Sequence, residues 1–159
     1  MSNNAAGFSA RLVVRYWLPL VVWLGVIAME STPVASSANT RHLLLAALNW
    51  LFGTANSAWI DALNFALRKS GHFLGYGWLG VLFFRALCAS SRAAAGALAA
   101  CAVGLTLVVA SLDEFHQSFI PSRTGSVRDV LLDTVGAACL LSIVLAYLHL
   151  RQKSWHLAA

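Results

Sequence analysis

Lys69, His72 and Tyr76 stand at i, i+3 and i+7, the spacing that puts three side chains on one face of a helix. Further along, Asp113, Glu114, His116 and Gln117 fall in the run D-E-F-H-Q, and Asp129 and Asp133 follow at i and i+4. An ammonium, two imidazoles, a phenol and four carboxylates can pair with one another, move protons, hold a metal or bind a charged head group. Asp113 and Gln117, four apart, share a helix face, whereas the adjacent Asp113 and Glu114 point about 100° apart. Two aspartates at i and i+4 repel. Something positive must therefore sit near them, and the choices are Lys69, Arg123, Arg128 or a metal ion.

Each chemistry has its own candidates. His72 and His116 with Asp113 and Asp129 would suit zinc or manganese, but no H-E-x-x-H and no close His/Cys spacing supports a metal. The expectation is no metal and no cofactor. Arg123 and Arg128, with Ser122, Thr124, Gly125 and Ser126, could hold a phosphate where a loop opens a helix at its positive end. As an enzyme, the chain would use Asp113 or Glu114 as base with His72 as partner, although no nucleophile motif accompanies them. As a purely structural network, Asp113 or Glu114 would bridge to Lys69 or Arg123 and lock the helices.

The elements that must position these residues follow from composition. Of 159 residues, 59% are hydrophobic and only 11% charged, against roughly 25% charged in an ordinary soluble domain. Mean hydropathy is +0.72. A soluble fold of this size buries only about 70% of its chain's surface, so a soluble domain is excluded and an integral membrane protein remains. The net charge of +5 is scattered, with no basic stripe among aromatics, which excludes nucleic acid as a partner. Cys88, Cys101 and Cys139 lie in apolar runs without C-x-x-C and read as small hydrophobes.

A bilayer crossing takes about 20 apolar residues. Four windows approach this: Val13 to Met29, His72 to Ala89, Ala93 to Leu112, and Val130 to Leu150. The first also carries features of a signal peptide, with Ser36-Ser37-Ala38 as a passable cleavage site, which would leave three spans. Between the first two windows, Arg41 to Phe52 and Ser57 to Arg68 show helical apolar spacing but are too short to cross, so both read as interfacial helices. Gly71, Gly75 and Gly80, and separately Gly96, Ala100 and Gly104, are small-residue patterns that let helices approach closely, including across a homo-oligomer. The six tryptophans fall largely near span ends. With the N-terminus in the cytoplasm, Arg11, Arg15, Arg85, Arg92, Arg151 and Lys153 lie inside. All six acids then lie outside, with the polar cluster at the outer boundary of the membrane.

Three stretches together resemble the VanZ-like membrane family: K-S-G-H-F-L-G-Y-G-W-L from Lys69, S-L-D-E-F-H-Q-S-F-I-P-S-R from Ser111, and D-V-L-L-D-T-V-G from Asp129. The resemblance covers roughly Glu30 to Leu148. It carries over Lys69, His72, Tyr76, Asp113, Glu114, Gln117, Arg123, Asp129 and Gly136. Asp133 falls where asparagine is common in that pattern. The family takes its name from a protein conferring low-level teicoplanin resistance, and the resemblance implies a multi-span membrane protein without a settled activity.

The expectation is a single all-α domain over residues 1–159, a bundle of four transmembrane helices with one or two extracytoplasmic interfacial helices. It would lie in the cell membrane with both termini cytoplasmic. Its polar cluster of Lys69, His72, Tyr76, Asp113, Glu114, Gln117, Arg123, Asp129 and Asp133 would meet a lipid or lipid-linked head group. Lys69 and Arg123 would hold the anionic part.

Overall fold

The computed structural model describes residues 10–53 and 56–157, with side chains as far as Arg151. Lys153 therefore lies outside the described side chains. Among the described residues there are five α-helices and no strand. A π-helical turn, Val13–Trp17, leads into α1, Leu18–Glu30. A linker with one 3-10 turn, Pro33–Ala35, precedes α2, Ser37–Phe52. Then come α3, Ser57–Ser90, α4, Ala95–Gln117, and α5, Val127–Leu157. Four helical stretches are long and apolar enough to cross a membrane: Ala10–Glu30, Ser57–Ser90, Ala95–Gln117 and Val127–Arg151. Leu20 and Ile27 of the first pack into the core with Tyr76, Leu79 and Leu82.

The interfacial helix expected over Ser57 to Arg68 is not separate. It is the first third of α3, which runs unbroken for 34 residues, about 51 Å at 1.5 Å per residue. Nothing between Arg68 and His72 breaks a helix; Gly71 alone costs only about 1 kcal/mol relative to alanine. α2 does form separately, with Ser36 as its N-cap and Gly53 ending it at φ 84°. α2 folds back on the start of α3. Buried Asn64 ties the two, accepting from the Thr40 hydroxyl at 2.8 Å and donating to the Ser37 carbonyl at 3.1 Å.

α3 is the central helix. Between Tyr76 and Ala86 it is buried nearly all round, because α1, α4 and α5 each pack against it. The closest approach is to α5. A Cβ added at Gly136 would collide with the Phe73 carbonyl, one at Gly80 would lie 2.9 Å from the Ala137 Cβ, and one at Gly77 would meet Leu140. Of the small-residue patterns read from the sequence, only Gly80 serves such a contact. Gly71, Gly75, Gly96 and Gly104 face open space. The reason is angular: at 100° per residue Gly77 and Gly80 lie about 60° apart on the face that meets α5, and Gly71 and Gly75 point to nearly the opposite side of α3. Trp23 lies mid-span rather than at an end, its indole N–H donating to the Gly75 carbonyl at 2.9 Å.

Candidate functional site

One end of the bundle gathers the C-termini of α1 and α4, the N-terminus of α5 and the part of α3 around Lys69. Each of the three inner helices delivers a short polar face there. From α3, Lys69 pairs with Asp129 of α5. One turn deeper, His72 Nδ1 lies 3.3 Å from Asp133 Oδ2, and Asp133 is fully buried. One turn deeper again, the Tyr76 hydroxyl donates to Asp113 Oδ2 of α4 at 2.8 Å. Gln117, on the same face as Asp113, donates to the same oxygen at 2.9 Å. The repulsion between Asp129 and Asp133 is thus met by two different partners, Lys69 and His72.

Glu114 turns the other way. Its Oε2 accepts the Ser126 backbone N–H at 2.8 Å, so it occupies the positive N-terminus of α5. Glu114 is 5% exposed, and its second oxygen, Oε1, has no hydrogen-bond partner among the described residues; the same holds for Asp133 Oδ1. His72, Glu114 and Asp133, one from each inner helix, place ligand atoms within 4.8 Å of one another.

Three expectations are corrected here. No bridge joins Asp113 or Glu114 to Lys69 or Arg123 among the described residues. Lys69 reaches Asp129 instead, and Arg123 turns to α1, donating to the backbone carbonyls of Glu30 and of Thr32, the latter at 2.9 Å. Those carbonyls belong to a helix C-terminus and its linker, which attract a cation. The loop phosphate site is also not free in the form expected, since Glu114 already accepts the Ser126 N–H. The histidine–carboxylate grouping differs as well. His116 lies beside the Ser31 hydroxyl at 3.5 Å, and Glu114 and Asp133 take the places given to His116, Asp113 and Asp129.

The sequence reading missed Arg68. Its Nη1 donates to the Ala35 carbonyl at 2.8 Å. With Arg123 it lines a cavity of about 490 Å³ enclosed by α2, α3 and the end of α1. Leu43, Leu44, Ala47 and Leu67 make the apolar wall; Arg68, Arg123, Glu30 and His72 make the polar end. Arg123 is 8% exposed, and its Nε has no partner among the described residues. Burial, and next the nearby Arg68 guanidinium, push the Arg123 guanidinium below its ordinary range, yet arginine stays cationic at neutral pH. The signal that could have found Arg68 was its i,i+4 spacing to His72, which puts the two on one face. A cleft of about 20 Å³, room for about one water, continues from His72 to Asp113 and Gln117.

A model of the VanZ/LLP1 family matches residues 16–149. The chain belongs to this family. No curated protein and no solved structure matches it. The VanZ/LLP1 match takes in α1 to α4, α5 as far as His149, every residue of the polar cluster and Arg68. With four helices of spanning length, this member of the VanZ/LLP1 family is a multi-pass membrane protein.

Proposed function

We propose that the chain binds the anionic head group of a membrane lipid or lipid-linked precursor in the cavity between α2, α3 and the end of α1. One observation carries the reading: two guanidinium groups, one of them buried with an unpartnered Nε, meet at the polar end of a pocket whose wall is leucine and alanine. Like charges brought together in a low-dielectric site favour an anion between them, and arginine forks match phosphate oxygens. An apolar wall beside a cationic end suits an amphiphile. Because Lys69 is taken by Asp129, the second cation of the site is Arg68. The polar cluster beneath then serves to fix α3, α4 and α5 so that the arginines are held in place.

In this reading the cluster faces the outer leaflet of the cell membrane and both termini are cytoplasmic. Arg15 and Arg85 flank the Tyr16 ring at the opposite end of the bundle, where they would meet the cytoplasmic head groups. Occupying or displacing a lipid-linked precursor at this surface would alter susceptibility to lipoglycopeptide antibiotics, whose acyl tails bring them to the same interface.

Native mass spectrometry of the full chain released from nanodiscs of phosphatidylglycerol and phosphatidylcholine tests the reading. The wild type is expected to retain a phosphatidylglycerol adduct that Arg68→Ala and Arg123→Ala lose. A bare wild-type chain, or equal adducts in all three proteins, would overturn it.

A further inference from the structure

We infer that His72, Glu114 and Asp133 form a binding site for one divalent transition-metal ion, with zinc or manganese as the chemically matched choices. Three observations converge. The three side chains come from three different helices, and their ligand atoms lie within 4.8 Å of one another. Two of the carboxylate oxygens, Glu114 Oε1 and Asp133 Oδ1, are buried without a hydrogen-bond partner among the described residues, on residues that are 5% and 0% exposed. A buried carboxylate oxygen without a partner is costly. The 3.3 Å between His72 Nδ1 and Asp133 Oδ2 is long for a charge-assisted hydrogen bond. It is close to the ~3.4 Å that separates two ligands bound at about 2.1 Å in a tetrahedral shell.

Charge points the same way. Asp113, Glu114, Asp129 and Asp133 interact electrostatically across this end of the bundle, together with His72. The permanent cations in the network are Lys69, paired with Asp129, and Arg123. Counted as ionised, four carboxylates against two cations leave a surplus of two negative charges, which one divalent ion removes. An imidazole with two carboxylates is a donor set for zinc or manganese rather than for calcium or magnesium, which favour oxygen alone. Three protein ligands leave a coordination position open, and a narrow cleft lined by His72, Asp113 and Gln117 approaches the histidine side of the site. The ion would cross-link α3, α4 and α5 beneath the arginine cavity. This inference does not rest on lipid binding.

The test is a titration of the chelator-treated full chain in detergent with Co²⁺, read by its visible absorption, then displaced by Zn²⁺. The expected result is saturable binding of one ion per chain. Affinity falls at least about tenfold in Glu114→Gln and in Asp133→Asn and is unchanged in His116→Gln and Arg68→Ala. Absence of saturable binding to the wild type, or wild-type affinity in both carboxylate variants, overturns the inference. Should the carboxylate variants fail to fold, the wild type decides alone. Zn²⁺ must then protect His72, and not His116, from acylation by diethyl pyrocarbonate; equal reaction of His72 with and without Zn²⁺ counts against the site. Arg68→Ala separates the two readings, since it is expected to lose the lipid adduct and keep the metal.

Discussion

The α2–α3 hairpin and the seam between α3 and α5 use the same kinds of residues to opposite effect. The hairpin carries an ion pair, Arg41 with Asp61, at 2.5 Å, with side chains 33% and 56% exposed. Its apolar residues Trp50, Phe52 and Trp59 are also largely exposed. The seam carries Lys69–Asp129 and His72–Asp133, the latter with its carboxylate wholly buried, above glycines that leave no room for a Cβ. Coulomb attraction is weak where water surrounds it and strong where it does not, so the hairpin's pair orients and the seam's pairs specify. An exposed hairpin can carry the first arrangement; a packed seam that must hold its geometry needs the second.

The largest break in this contrast should come from Gly136→Leu. The added side chain has to displace the Phe73 backbone carbonyl rather than a flexible tip. Overpacking of even ordinary core sites costs about 1–3 kcal/mol, and here the obstacle is main chain. Loss of the monodisperse peak in size-exclusion chromatography is expected, while Gly104→Leu, in open space, should run as wild type. Equal behaviour of the two would mean that α3 and α5 do not meet through Gly136.

A smaller effect is expected from Tyr76→Phe. It removes one of the two donors to Asp113 and leaves Gln117. A buried acceptor losing a donor costs about 1–3 kcal/mol, readable as a lowered thermal midpoint in detergent. The smallest effect belongs to the hairpin. The Asp61 carboxylate raises the Arg41 guanidinium above its ordinary range through a hydrogen bond, but the pair lies at the surface. Arg41→Ala should leave the thermal midpoint unchanged within error at both low and high salt. A marked drop would show that the hairpin depends on its ion pair rather than on Asn64.

The legible part of the site was the part encoded by helical spacing. Lys69, His72 and Tyr76 share a face because a helix repeats every 3.6 residues, and α3 presents them to α5 and α4 in that order. Asp113 and Gln117 were readable together for the same reason, and they meet on one donor–acceptor contact. Glu114 was harder. Its direction is set by the turn from α4 into α5, where the Ser126 N–H falls within reach, and no spacing rule carries a side chain across that turn. Arg68 was not legible as a site residue because nothing local says that α2 folds back over it. The length of α3 was missed for a related reason: composition distinguishes a span from an amphipathic turn, but a helix continues wherever no residue stops it.

Composition alone determined that the chain's solvent is lipid, because 59% hydrophobic residues in 159 positions exceed what a small soluble core can bury. Spacing alone determined which polar residues travel together on each helix. Pairing was decided by tertiary structure. Which acid meets Lys69, which carboxylates close on His72 and which arginines share a cavity depend on the rotation and depth of one helix against another. Those are set by where glycine permits backbone to approach backbone, a property of two surfaces together.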